Sequence, residues 1–204
     1  MAKVALLPNP DEPLSVLFLN TLWADRDGVH DVLDDGSGLT NWLAVVAPRL
    51  PTGAQPKRVP AQDATAFRQL RDALRQLAAD RTKDPRHRAV IPASTAGIAE
   101  AARIVNDALA LAPALIQLSW PGGKLTRAAP PGSAAPAAAL SAIAADGAAV
   151  LSRAQQDQLR ACLAPGCVMY FVQDHPRREW CSTACGNRAR AARHYARHKT
   201  SQPS

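Results

Sequence analysis

The chain has 204 residues, enough to bury a hydrophobic core, and a formal net charge of +7. The charge is divided unevenly, because residues 1–152 carry 15 basic side chains against 14 acidic ones, whereas residues 153–204 carry 9 against 3. This asymmetry indicates that the last quarter of the chain binds a polyanion. No stretch approaches the apolar length of a membrane span and the N-terminal apolar run is too short for a signal peptide, so we expect a cytoplasmic protein with no membrane partner.

The first element is a mostly apolar run at residues 14–23. Its length fits a buried strand or a short helix, and its periodicity does not decide between the two. Asn20 and Thr21 interrupt the run, and their polar groups need hydrogen-bond partners if they are buried. Holding a neighbouring loop is the plainer role for these side chains, and facing a ligand is the alternative.

An acidic segment with five aspartates follows at residues 25–35. Because its spacing lacks the central glycine and terminal glutamate of an EF-hand loop, we expect a solvated acidic loop. Residues 39–47 then predict a short amphipathic helix, with Ser37 or Asp35 as its N-cap and Pro48 as its stop.

Three longer helices and a hairpin complete the N-terminal part. Apolar residues recur at spacings of three and four in residues 61–79 and 95–111, and an alanine-rich helix at 133–153 has a weak point at Asp146-Gly147. Residues 115–127, interrupted by Pro-Gly-Gly, predict a β-hairpin.

The same part of the chain offers no catalytic motif. It has no glycine-rich phosphate loop, no Gly-x-Ser-x-Gly turn, no His-Glu-x-x-His pair and no cysteine. We therefore expect no catalytic residues and no enzymatic activity.

All four cysteines lie near the C-terminal end as two pairs, Cys162/Cys167 and Cys181/Cys185, with thirteen residues between the pairs. Two loops that each present two thiolates are what a closed tetrahedral zinc site requires, and we predict one structural Zn²⁺ held by all four. Pro-Gly at 165–166 provides a turn inside the first pair. Because four thiolates leave no open position, the zinc would not be catalytic.

Other uses of these residues remain open. Two disulfides would also consume four cysteines, but nothing marks secretion, and a reducing cytosol disfavours disulfides. His175, His194 and His198 are alternative metal ligands, although a histidine in an arginine-rich surface helix is more often an ordinary polar residue.

The segment around the cysteines has its own predicted elements. Residues 168–172 and 179–180 predict two short strands joined by a turn, and the Ala- and Arg-rich residues after Cys185 predict a helix. Knuckle, hairpin and helix in this order form a treble-clef-like layout whose folding free energy would come largely from the metal. No Gly/Ser-rich linker precedes Cys162, so we expect this unit to be docked on the rest of the protein.

The sequence Cys185-Gly-Asn-Arg188, beside Trp180-Cys181, resembles the CGNR-type zinc finger. In that family the finger follows an ABATE domain, and Phe18-Leu-Asn-Thr21 is similar to the Phe-Val-Asn-Thr motif that opens it. The resemblance implies an ABATE-like, effector-sensing or dimerising domain at 1–152 and the finger at 153–204, in a stress-induced transcription regulator. Compared with the family, the segment between the cysteine pairs is shorter, and the second pair is one residue narrower.

The resemblance also implies a candidate ligand pocket at Asn20, Thr21 and Arg71. Arg71, or Arg68, would reach back toward the two polar residues from the helix at 61–79. A solvated or ion-paired arginine is the plainer alternative.

The C-terminal helix carries the candidate nucleic-acid contacts. Arg190, Arg193 and Arg197 fall at i, i+3 and i+7 on one helix face, and Arg188 and Lys199 widen the basic surface. Arginine forks bind phosphates and read guanine in the major groove, so we predict DNA as the partner. One small finger buries little surface, and a sequence-specific regulator would therefore act as a homodimer.

The sequence thus predicts an α+β protein, with a mostly helical N-terminal domain that includes a small β-hairpin, followed by a treble-clef-like zinc finger. Its predicted function is a zinc-dependent, DNA-binding transcription regulator that responds to stress or to a small-molecule effector. A finger that binds protein or RNA, without DNA specificity, is the alternative.

Overall fold

The computed structural model describes residues 9–34, 36–86, 97–152 and 158–199. The helices in these ranges are α1 (Leu14–Leu19), α2 (Gly36–Val46), α3 (Ala61–Thr82), α4 (Ile98–Leu111), α5 (Ala135–Ser152) and α6 (Thr183–Lys199), with a 3-10 turn at Ala47–Arg49. The strands are β1 (Leu22–Asp25), β2 (Gly28–Asp31), β3 (Leu115–Ser119), β4 (Lys124–Ala128), β5 (Leu159–Ala161) and β6 (Tyr170–Val172). They form three antiparallel pairs, β1-β2, β3-β4 and β5-β6. The α+β class is confirmed, and the treble-clef layout stays a prediction.

The hydrophobic core forms around α3, which packs against α1, α4 and α5. The spacing of Phe67, Leu70 and Leu74 places them on one face of α3, where each is almost fully buried. The ring of Phe18 on α1 lies 5.2 Å from that of Trp42 on α2 and 6.3 Å from that of Phe67, between ring centroids. These aromatic contacts join the three helices into one core.

The ambiguous run at residues 14–23 folds as α1 followed by the start of β1, and every residue of α1 is buried. The backbone N–H of Ser15, in the first turn of α1, donates to the Asp146 carboxylate on α5 at 2.7 Å. Next to it, a Cβ added to Gly147 would lie 2.6 Å from Leu74 Cδ2. The prediction of a weak point at Asp146-Gly147 is therefore wrong, because α5 continues through this pair and uses it to approach α1 and α3.

The expectation of a solvated acidic loop is also wrong. Residues 22–31 form the β1-β2 hairpin, in which Asp25 lies opposite Gly28, and the segment is not a solvated loop throughout. Of the two candidate N-caps of α2, Ser37 lies inside the helix, which begins at Gly36, and Asp35 lies outside the described residues, so the N-cap stays a prediction.

Helix α5 corrects the expectation that no stretch reaches the length of a membrane span, since its 18 residues have a mean hydropathy of 1.4. Its Ala139, Leu140, Ile143 and Ala144 are buried in the core, and it packs against α1, α3 and α4. Seven of its 18 residues, or 39%, are buried, and its apolar composition fits a helix that packs against three others.

The hairpin predicted at residues 115–127 is confirmed as β3-β4, with Leu118 opposite Leu125. In the cysteine-rich segment, by contrast, the predicted strand pairing is wrong. Strand β6 pairs with β5, which precedes the first cysteine, and residues 179–180 form no strand. Aromatic and β-branched residues identified β6 correctly, but local propensity does not specify which strand is its partner.

Candidate metal centre and basic helix

The four cysteines converge on one point. Their Sγ atoms all lie within 4.8 Å of one another, with Cys167 and Cys181 3.8 Å apart and Cys181 and Cys185 3.4 Å apart. A tetrahedron with Zn–S bonds of about 2.3 Å has edges of about 3.8 Å, whereas a disulfide joins its sulfurs at about 2.05 Å. All four are free cysteines, so this geometry favours one metal ion over two disulfides.

The four thiols are close enough to change one another's pKa values. Hydrogen bonds from Cys167 and Cys181 lower the pKa of Cys162 to about 2. The neighbouring Cys162 sulfur raises the pKa of Cys167 to about 12, and it raises the pKa of Cys181 as well. Without a cation, therefore, one thiolate suppresses the ionisation of the thiols around it. A dication that bonds all four sulfurs removes this conflict, so the donor set fits Zn²⁺.

Local backbone structure explains why the sulfurs converge. The first pair lies in the connection between β5 and β6, where Cys162 N–H donates to Met169 O at 2.9 Å and Gly166 adopts a left-handed φ of 72°. The second pair lies at the start of α6, where Cys185 N–H donates to the Ser182 hydroxyl at 3.2 Å. The glycine turn and the helix cap thus orient the two cysteine pairs toward each other.

Two arginines lie against the cluster. Arg86 Nη1 donates to the backbone carbonyls of Cys162 and Cys167, and Arg188 Nη2 donates to Cys185 Sγ at 3.2 Å. Zn²⁺ together with four thiolates has a net double negative charge, which the two nearby guanidinium groups offset. Arg188, predicted as a nucleic-acid contact, is therefore placed beside the metal centre.

The carboxylate of Asp84 fixes Arg86 from the opposite side. It accepts hydrogen bonds from Arg86 Nε at 2.8 Å, from Arg86 Nη2 at 2.9 Å and from the Tyr170 hydroxyl at 2.8 Å. Burial raises the pKa of Asp84, but the hydrogen bonds from Arg86 and Tyr170 outweigh this effect and hold the pKa below its usual value. Asp84 thus stays ionised and ties the segment after α3 to the cysteine-rich unit.

Asn20 makes a second link between the two parts of the protein. Its Nδ2 donates to Tyr170 O at 2.8 Å, and Tyr170 N–H donates to Asn20 Oδ1 at 2.9 Å. The side chain thereby pairs with both backbone groups of a β6 residue, as a neighbouring strand would. This arrangement matches the plainer of the two roles expected for Asn20, which is to hold a neighbouring segment of the chain.

Arg75, which no sequence pattern singled out, is the third link. It is only 2% exposed, and it donates to Leu19 O at 2.7 Å and to Val168 O at 2.8 Å. Burial lowers the pKa of Arg75 to about 10, so the side chain remains charged at neutral pH. The C-terminal carbonyls of α1 and the Tyr170 ring, 5.1 Å away, provide the negative potential that a buried cation needs.

Glu12 makes the fourth link, just before α1. Its carboxylate accepts from Val172 N–H at 2.9 Å and from Arg178 Nη2 at 2.5 Å. Burial raises the pKa of Glu12, although both of these bonds act in the opposite direction. The cysteine-rich unit is therefore docked on the helical domain, which agrees with the absence of a Gly/Ser-rich linker.

All three candidate ligand-pocket residues are buried, and each is hydrogen-bonded to other residues of the protein. The Thr21 hydroxyl donates to Phe18 O at 2.8 Å, while Arg71 forms a two-pronged pair with Asp31 and a 3.0 Å bond to Asp72. A cleft of about 430 Å³ lies elsewhere in this domain, between residues 48–52 and β4. A ligand at Asn20, Thr21 and Arg71 stays a prediction, and these contacts favour its alternative, an ion-paired arginine.

Helix α6 begins at the metal centre and then extends away from the rest of the protein into solvent. Ala189 is only 4% exposed, but every described side chain from Arg190 to His198 is exposed. Arg190, Arg193 and Arg197 lie on one face, and the helix contains no acidic residue. The Lys199 side chain, also a predicted contact, lies outside the described residues.

Comparison with known families agrees with this geometry. The profile of the ABATE family, described as a "putative stress-induced transcription regulator", matches residues 12–154, and the CGNR zinc finger family matches residues 158–198. These families are regulators and zinc fingers and not enzymes. No curated protein matches the chain significantly. The prediction of one zinc ion is confirmed by the cysteine cluster together with the finger family.

Proposed function

The chain belongs to the ABATE family and carries a CGNR zinc finger, and on this premise we propose that it is a cytoplasmic transcription regulator that binds DNA through α6. The observation that carries the proposal is the course of α6. This basic helix is fixed to the metal centre at one end and is exposed on all sides beyond Ala189.

The chemistry of the exposed helix suits a nucleic acid. Arg190, Arg193 and Arg197 present guanidinium groups along one face of a helix that carries no carboxylate. Guanidinium forks bind phosphates and can pair with guanine edges, and the major groove admits one α-helix. The neighbouring His194 and His198, whose Nε2 atoms lie 3.0 Å apart, add further polar groups beside these arginines.

Zinc has a structural role in this proposal. When bound, the ion would bond Cys162, Cys167, Cys181 and Cys185 and so fix the first turn of α6 to the β5-β6 connection. Arg188 would then serve the metal centre, and the DNA contacts would come from the three arginines beyond it.

One α6 is too small for high sequence specificity, so the regulator would act as a homodimer that places two basic helices on two half-sites. The helical N-terminal domain would supply the contact between copies or the response to an effector. Because the finger is docked through Asn20, Arg75 and Asp84, a change in the N-terminal domain would reach α6 through defined contacts.

The test is binding of a labelled mixed-sequence DNA duplex to the zinc-loaded chain across a salt series, measured by fluorescence anisotropy. Changing Arg190, Arg193 and Arg197 to Ala should reduce affinity on the order of 100-fold at low salt and make the log–log salt slope shallower by about 2.7, or about 0.9 per lost phosphate contact. The matched control removes the same charge from exposed arginines of the N-terminal domain, with Arg26, Arg58 and Arg81 changed to Ala.

The control variant should bind nearly as the wild type does. Equal losses in the two triple variants would show that only net charge matters and would reject α6 as the contact surface. No binding by the wild type even at low salt would reject the DNA proposal and leave the finger as a protein- or RNA-binding module.

A further inference from the structure

The β3-β4 hairpin has one mainly polar face and one mainly apolar face. Residues opposite each other in an antiparallel pair share a face, and here Gln117 lies opposite Thr126 and Ser119 opposite Lys124. The other face carries Leu118 opposite Leu125, with Ile116 two residues before Leu118 and Arg127 opposite Ile116. Three large aliphatic residues thus lie together on one face, beside a single charged side chain.

The apolar face, however, is open to solvent. Ile116 is 72% exposed, Leu118 60% and Leu125 66%, and Trp120, which directly follows β3, is 80% exposed. Large aliphatic residues elsewhere in the described core are almost fully buried. We call Ile116, Leu118, Trp120 and Leu125 the hairpin face.

The exposed apolar area of the hairpin face is large for a monomeric protein. With Trp120 exposing roughly 200 Å² and each aliphatic side chain roughly 100 Å², the face totals roughly 500 Å², within the range at which an exposed patch is often functional. A two-stranded hairpin gains little stability of its own in water, so an apolar face on it is best explained by a partner that covers it.

We propose that the hairpin face is the dimer interface, packed against the same face of a second copy of this chain. Two such faces would bury roughly 1,000 Å² together, which reaches the lower limit of a specific protein–protein interface. Arg127, opposite Ile116 on the same side of the hairpin, is exposed and would lie at the rim of this interface, where solvent screens its charge.

This inference rests on the dimeric form of the regulator proposed above, and it names the surface that joins the copies. Its experiment uses the full zinc-loaded chain without DNA, so it can fail while DNA binding by α6 holds. The interface lies on β3-β4, whereas the proposed DNA contacts lie on α6, so the two sets of substitutions do not overlap.

The experiment is sedimentation velocity of the full chain across the micromolar range. The wild type should be a dimer, and changing Ile116, Leu118 and Leu125 to Thr should raise the dimer dissociation constant by roughly 100-fold or more. Threonine keeps a high strand propensity, so the hairpin should persist in this variant. The matched control changes Gln117, Ser119 and Lys124 on the opposite face to Thr and should remain a dimer.

A pair of charge variants shows that loss of the dimer is not loss of the fold. Leu118→Glu and Leu118→Lys should each be monomeric alone, since Leu118 lies near the middle of the face and would meet its own copy across the axis. An equimolar mixture of the two should recover a dimer. Monomeric wild type, a dimeric apolar-face variant, or no recovery in the mixture would each overturn the proposal, and a monomeric wild type would assign the face to a different partner.

Discussion

Asn20→Ala tests how the finger is joined to the helical domain. Asn20 is 5% exposed, and its amide pairs with both the N–H and the C=O of Tyr170 at 2.9 and 2.8 Å. The substitution leaves both backbone groups buried without a partner, and each such group costs about 1–3 kcal/mol. After local relaxation we expect the free energy of unfolding to fall by about 3 kcal/mol.

The assay is urea denaturation of the zinc-loaded chain, followed by circular dichroism and by zinc release to a chelator. The matched control is Asn106→Ala, the same chemical change at an exposed position of α4, which should shift the free energy of unfolding by less than about 0.5 kcal/mol. Asn20→Ala should also release zinc at a lower urea concentration than the wild type does, because Tyr170 belongs to the strand that follows Cys167. If the two variants unfold alike, the Asn20 contact does not hold the finger, and the docking described here is incorrect.

Three further predictions concern the metal, the core and pH. Cys181→Ser should reduce the bound zinc from one ion per chain to a small fraction, measured by native mass spectrometry, and full zinc retention would contradict a four-cysteine site. Gly147→Ala should lower the free energy of unfolding by about 1 kcal/mol in thermal denaturation, because the added Cβ meets Leu74, whereas an ordinary helical Gly→Ala change is stabilising. The lowered pKa of Asp84 means that its ionised form stabilises the fold above the unfolded-state value of about 4, and that this contribution is lost as the pH falls through the folded-state pKa. Asp84→Asn should therefore cost about 3 kcal/mol at pH 7 and progressively less below pH 4 by urea denaturation, and a difference that does not depend on pH would contradict the assigned role.

Local sequence patterns predicted the parts of this protein that depend on local interactions. The apolar spacing of Phe67, Leu70 and Leu74 identified α3, and the two cysteine pairs identified the metal centre, because a tetrahedral thiolate site requires two turns that each carry two cysteines. The Pro-Gly-Gly interruption located the turn between β3 and β4 in the same way.

Contacts between distant residues could not be read from the sequence. Arg75 and Arg71 both lie beside the apolar stripe of α3, yet Arg75 is buried against Val168 while Arg71 pairs with Asp31. The pairing of β6 with β5 depends on how the finger docks, and strand propensity contains no information on the partner. The aspartates of residues 25–35 suggested a solvated loop for the same reason, since the arginine that binds Asp31 lies 40 residues away.

Hydrogen exchange of the zinc-loaded chain, with and without a DNA duplex, tests the role of α6 most directly. The turns from Arg190 to His198 are exposed to solvent, so their amides should exchange rapidly in the free protein. DNA should slow exchange in this segment and leave the core helices α1, α3 and α5 unchanged. Protection confined to the N-terminal domain, or no protection of α6 under conditions where DNA is bound, would contradict the proposal that this helix is the DNA-binding surface.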